Sequence, residues 1–232
     1  MAKIAKIPIS MTGKERLLGF GYALLDLFFM PTMLNSMNAL LIQPLSGAWI
    51  NFLYFSLNFV FLFAIFNRFL KRSLSYAGKH MGDFLPAAII GFVVYWFSNI
   101  LLSITIVMLF PDYANPNDSS ISTMVDGNFA IMAVGAVLLV PMAEELIHRV
   151  LIFGTLARKH RLAAYVISAA YFAAIHVVGY LDICGQRDLL LAFLQYLPAG
   201  LVLGWAYEKS GTVFAPIAIH TVVNAMGILA MR

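Results

Sequence analysis

Glu144, Glu145, His148 and Arg149 lie close together inside an apolar run from about Ala130 to Leu156. An ionised side chain at membrane depth costs several kcal/mol unless it is paired, neutralised or open to water, so such a group marks a functional site. Glu145 and Arg149 are separated by four, share a helical face, and can compensate each other's charge. Glu144 is turned from that face by about 100° and is left free to point into a site. Further along, His176 and the pair His220 and Asn224 interrupt two other apolar stretches. The four-residue spacing of that pair puts an imidazole and a carboxamide on one face, two potential donors of the kind an oxyanion requires. A carboxylate and a neutral imidazole can hold a water between them, the carboxylate taking its proton. No serine or cysteine nucleophile is needed.

These groups must be carried by helices. The chain has 232 residues, 62% hydrophobic and 11% charged, with a mean hydropathy of +0.87. Soluble domains carry roughly 25% charged residues, so the composition implies a polytopic membrane protein. Seven stretches approach the roughly 20 apolar residues that cross a bilayer: 17–42, 49–67, 85–110, 129–156, 162–181, 189–207 and 213–231. Pro31 is expected to kink the first. The basic residues Lys3, Lys6, Lys14, Arg16, Arg68, Lys71, Arg72, Lys79, Arg158, Lys159, Arg161 and Lys209 all fall on one side of this map, twelve of the fifteen in the chain. By the positive-inside rule the N-terminus is then cytoplasmic and the C-terminus outside. The basic N-terminal segment, residues 1–16, precedes an apolar run too long for a signal peptide and is read as leading into an uncleaved first span. Residues 17–232 form a single membrane domain, with the polar groups in 129–232. The stretch 111–128, rich in Asp, Asn and Ser, is expected as a solvated outer loop.

A net charge of +4 might suggest nucleic acid, but the basic residues lie between apolar segments and read as topology signals, so no nucleic-acid partner is expected. Cys184 is the only cysteine, which excludes an intramolecular disulfide and a thiolate metal cluster. At a rise of 1.5 Å per residue, Glu144 and His176 lie about 20 and 22 Å from the basic loop joining their helices, and His220 and Asn224 about 16 and 22 Å along the last one. All four therefore reach similar depth. The fold class is all-α: a polytopic helical membrane protein of about seven spans around a buried polar site.

Three motifs, Glu144-Glu145-Leu146-Ile147-His148-Arg149, Phe172-Ala173-Ala174-Ile175-His176 and His220-Thr221-Val222-Val223-Asn224, occur in the order that marks the CPBP family of CAAX-type and bacteriocin-processing intramembrane proteases, which the chain resembles from its fourth span on. The resemblance implies an intramembrane endopeptidase acting on a membrane-associated or hydrophobic peptide. In it Glu144 with His176 activates water, His220 and Asn224 form the oxyanion site, and Glu145 with Arg149 organises the motif helix. The family is commonly labelled metalloprotease, and zinc held by Glu144, His176 and His220 is the alternative to a metal-free glutamate mechanism. His148 departs from the apolar or aromatic residue usual at its position. It can bond Glu144, serve as an extra ligand, or point to water.

Two other classes use the same residues: a non-catalytic membrane protein such as a bacteriocin self-immunity or peptide-binding factor, and a proton-coupled transporter. The absence of paired broken helices in two halves argues against the transporter. Asp26, Asn35, Asn38 and Asn58 read as hydrogen-bond partners between helices, and Ala199, Gly200 and Gly204 as a small-residue face for close approach. Gln195 and Tyr196 can line a substrate path. The positive-inside pattern in a compact chain fits a prokaryotic plasma membrane.

Overall fold

The computed structural model describes residues 7–232; Lys3 and Lys6, expected in the basic N-terminal segment, lie outside the described residues. Regular structure in this range is entirely helical: α1 (Gly13–Phe28), α2 (Met30–Ala39), α3 (Gly47–Lys79), α4 (Met81–Leu109), α5 (Pro116–Val134), α6 (Val140–Glu145), α7 (Gly154–Leu156), α8 (Arg161–Ile175), α9 (Gln186–Ser210) and α10 (Phe214–Ala230). Two π-helical segments, Gly135–Leu139 and Leu146–Phe153, join α5, α6 and α7 into one run. The chain is thus an all-α, integral membrane protein.

Five helical stretches are long and apolar enough to cross a membrane: α3, α4, the run Pro116–Leu156, Arg161–Tyr180 and α9. The first expected span is instead a pair, α1 and α2, bent by 45° at a break around Phe29, and it counts as a sixth if the pair is one broken span. Pro31 opens α2, where its missing N–H costs nothing. The seventh expected span is α10, apolar but only 17 residues long, or about 25 Å against a hydrocarbon core of about 30 Å. Of the about seven expected spans, five or six reach crossing length and the last is a shorter apolar helix.

The expected outer loop is also corrected. Asn115 accepts from the backbone of Asn117 and Asp118, and Pro116 stands at the first turn, so a helix starts there rather than at residue 129. Its polar first half is separated from its apolar second half by a kink at Asn128, whose φ and ψ of −155° and 58° are not helical.

Polar contacts tie the helices at both ends. At one end Arg72 pairs with Glu15 at 3.2 Å, Ser73 bonds Thr212 at 2.8 Å, and Arg161 pairs with Glu208 at 2.6 Å. The helix ends bearing the basic loops are thereby on one side, as the charge pattern requires. At the other end Arg187 bonds Asp112 at 2.9 Å. Between them α4 buries only Ala87, Gly91, Tyr95 and Ile106 and exposes Val93, Val94, Phe97, Leu101 and Ile104. An apolar helix so little buried belongs against lipid.

The most extensive packing is between α8 and α9. Gly200 makes it possible, since a Cβ there would come within 2.6 Å of the Ala169 Cα, a backbone atom that cannot rotate aside. Gly204 stands one turn on, against Phe153. Both were expected on a small-residue face. Gly200→Val is expected to push α8 from α9 and lower stability by about 1–3 kcal/mol or more, whereas Gly179→Ala, which meets nothing within 4 Å, should leave the melting temperature in detergent unchanged.

Candidate active site

The motif helix is distorted where its charged residues lie, and Pro141 accounts for the first distortion. A proline inside a helix has no N–H and its ring collides with the carbonyl four residues back. Here the turn before it widens into the π-helical segment Gly135–Leu139, with Val140 N–H bonded to Gly135 O. In that register the partner of Ala136 O would be Pro141, which has no proton to give. The Asn224 Nδ2 donates to this carbonyl instead, at 2.8 Å. The carboxamide expected to face an oxyanion is thus engaged through one of its two hydrogens in sealing a carbonyl left free by proline.

Glu144 and Glu145 end the α-helical stretch between the two π-helical segments. Glu145 and Arg149 are both completely buried, with Arg149 Nε 2.9 Å from Glu145 Oε2. Arg149 is further held by Ser168 Oγ at 3.2 Å, and the same hydroxyl donates to His148 O at 2.9 Å. The guanidinium lies 4.9 Å from the Phe172 ring centroid, a cation–π distance. Phe172 touches more of the site than any helical spacing announced: His148, His176 and His220 lie at 5.2, 4.7 and 5.8 Å from it, centroid to centroid. Neither Ser168 nor the ring role of Phe172 was read from sequence, although the phenylalanine belongs to a quoted motif.

Hydrogen bonds fix the histidine tautomers, because a carbonyl or carboxylate oxygen can only accept. His148 Nδ1 donates to Glu144 O at 2.6 Å and His176 Nδ1 to Phe172 O at 2.8 Å. His220 Nδ1 donates to Glu145 Oε1 at 3.0 Å, since that carboxylate is ionised beside Arg149. In the neutral form each ring presents Nε2 as an acceptor. That of His148 is buried and has no partner among the described residues.

Among the sequence candidates, Glu144 meets His220, with Nε2 and Oε2 3.9 Å apart, and Glu145 meets both His220 and Arg149. His176 makes no such approach to a carboxylate among the described residues; its ring is stacked on Tyr196 at 4.1 Å. As a zinc centre the expected set does not fit, because no group of three or more His, Cys, Asp or Glu among the described residues is placed to hold a metal ion. His148 bonds the backbone of Glu144, not its carboxylate.

A further set of residues approaches from the N-terminal helices. Tyr22 donates to Asn58 Oδ1 at 3.0 Å, joining α1 to α3 as expected of Asn58. Asp26, beside Tyr54 and Asn58, is within electrostatic reach of Glu144. Asp26 Oδ1 and Glu144 Oε2 are both buried without a donor among the described residues. Asn38, near the end of α2, bonds the backbone of Leu45 in the turn that follows.

With this geometry in view, residues 126–226 match the family model "Type II CAAX prenyl endopeptidase Rce1-like". The segment contains all three motifs, and the resemblance drawn from them holds over it. The UPF0177 protein YxdF of Lactococcus lactis subsp. lactis is 28% identical over 95 residues, 41% of this chain and 47% of that protein. The match thus spans about half the length of that curated relative. No solved structure matches the chain.

Removal of one member of a buried ion pair leaves the other charge uncompensated, at a cost of about 3–5 kcal/mol. Glu145→Ala is accordingly expected to unfold the protein at markedly lower temperature, while Glu144→Gln, at a position 20% exposed with no ion partner closer than 3.9 Å, should melt close to the wild type. Equal melting of the two variants would contradict the division of roles between the adjacent glutamates.

Proposed function

We propose that the protein is an intramembrane endopeptidase that hydrolyses a peptide bond of a membrane-associated or hydrophobic peptide by water activation. The observation that carries this reading is the approach of His220 Nε2 to Glu144 Oε2 at 3.9 Å, with the far side of the imidazole bonded to Glu145. Its support from outside the site is the match of residues 126–226 to the Rce1-like endopeptidase model.

Two acceptors at that spacing can each take one hydrogen of a single water, leaving its lone pairs directed away from both. A scissile carbonyl presented on that side meets a nucleophile already oriented for attack. As the C–O bond forms, Glu144 takes the water proton, and it returns that proton to the leaving amine as the C–N bond breaks. Glu145 holds His220 in the tautomer this arrangement needs. It plays the part that a carboxylate plays behind a histidine base, while Arg149 holds it in place. His220 thus stands with the base, not with the oxyanion donors. The second hydrogen of the Asn224 carboxamide is the remaining donor for the developing oxyanion, and His176 supplies a further acceptor at the edge of the site. We propose the bilayer as the setting in which substrate reaches these groups.

Purified protein in lipid nanodiscs, given a panel of hydrophobic peptides with and without a prenyl group, is expected to cleave at least one of them. Glu144→Gln and His220→Ala should each lower kcat by about 10²–10⁴-fold, the range of a lost general base, with substrate capture intact. Cleavage that persisted in Glu144→Gln would overturn the mechanism. Peptide binding without cleavage by the wild type would favour a peptide-binding or immunity role.

A further inference from the structure

His176 is the C-cap of α8, one residue beyond Ile175 and two before the short turn Val178–Tyr180. One hydrogen bond, Nδ1–H to Phe172 O, ties its ring to the preceding turn through a single nitrogen. The plane is set by rings: Phe172 tilted at 46° on one side, and Tyr196 nearly parallel at 24° and 4.1 Å.

Tyr196 is itself held from outside the helix pair. Its hydroxyl donates to Asp118 Oδ1 at 2.9 Å and accepts from Asn117 Nδ2 at 2.9 Å. The preceding residue on α9, Gln195, accepts from Tyr113 at 2.7 Å and from Asn115 at 2.8 Å. Four hydrogen bonds thus converge on two consecutive residues of α9, all from the outer segment 113–118. A tyrosine that only marked a membrane interface would place its hydroxyl in water. Here both the ring and the hydroxyl are committed, the one to His176 and the other to the outer segment.

We infer that Tyr196 is a positioning residue for His176, and that the outer segment 113–118, by holding the Tyr196 hydroxyl, controls how well His176 is aligned. The inference deepens the endopeptidase reading and rests on it for its kinetic consequence alone. Asp118 and Asn117 lie outside every motif; both hold the Tyr196 hydroxyl, and Asp118 also lies within direct electrostatic reach of His176.

The test has a kinetic arm and a spectroscopic one. Tyr196→Leu removes the stack and should lower kcat about tenfold with KM unchanged, the size expected from a small misplacement of a reacting group. Tyr196→Phe keeps the ring and loses its anchor, with an expected fall of about threefold. The double variant Asn117→Ala/Asp118→Ala should fall at least as far as Tyr196→Phe, because it breaks the same linkage and also removes the Asp118 charge near His176. Independently of any cleavage, ¹⁵N-histidine NMR of the full-length protein, with His176 assigned through His176→Gln, should show a single Nδ1–H tautomer in the wild type and averaged ring shifts in Tyr196→Leu. Unchanged kcat and unchanged His176 shifts in a folded Tyr196→Leu would overturn the inference. If that variant does not fold, Tyr196→Phe and Asn117→Ala/Asp118→Ala decide by the same criteria. A wild type that cleaves nothing but shows the expected spectra would sink the endopeptidase reading and leave the positioning role standing.

Discussion

A fully buried guanidinium facing a fully buried carboxylate is the constraint on which the site depends. Such a pair seldom gains stability over apolar side chains of the same size, because desolvation offsets most of the attraction. Its value here lies in what it fixes. Ionised Glu145 divides its oxygens between Arg149 and His220, so the ion pair decides which nitrogen of His220 carries the proton and which faces Glu144. Arg149 in turn is braced by Ser168 and by the face of Phe172, both on α8. The chain of contacts runs from one helix to the next and back, and each member is placed by the one before it.

The backbone around this pair is bent to suit it. A regular helix across Gly135–Phe153 would have met the proline ring of Pro141, and the π-helical turn before it removes that conflict. The widened turn frees Ala136 O, and the amide of Asn224 closes the gap from α10. The same turn brings Gly135 against Phe55, where a Cβ would stand 2.8 Å from the ring. A local distortion thus serves as a joint between three helices. α10 is held at two depths, through His220 on Glu145 and Asn224 on Ala136, although it is too short to be fixed by spanning alone.

Much of the fold was legible because apolar runs and basic loops leave little freedom to a chain in lipid. The stretches 49–67 and 189–207 lie inside α3 and α9, 85–110 overruns α4 by one residue, and Glu145 meets Arg149 as their spacing requires. Hydropathy did not show where helices continue into water, so α3 extends twelve residues beyond its expected end to Lys79. Nor did it show the helix starting at Asn115, although the Asn-Pro sequence is itself a start signal. The pairing of Glu145 with Arg149 was legible in their spacing, and the partners of the histidines were not. Depth along a helix brought His176 and His220 to one level, but depth says nothing of azimuth. His220 turns to the glutamates and His176 turns to Tyr196. The π-helical turns change the rotation per residue, so face assignments made at 100° per residue carry across them poorly.

The N-terminal helices lie outside the stretch 126–226 in which all three motifs stand, yet they are part of the same polar site. Asp26 on α1 reaches Glu144 electrostatically, and Tyr54 and Asn58 on α3 stand beside it. Asp26 Oδ1 and Glu144 Oε2 are buried acceptors without donors among the described residues, and a buried oxygen in that condition calls for a proton, a water or a ligand group. Two carboxylates brought together in this way repel unless something between them donates. The first helices therefore do more than anchor the motif helices in lipid. They place a second buried carboxylate within electrostatic reach of Glu144, so the half of the chain without motifs helps to set the polarity around it.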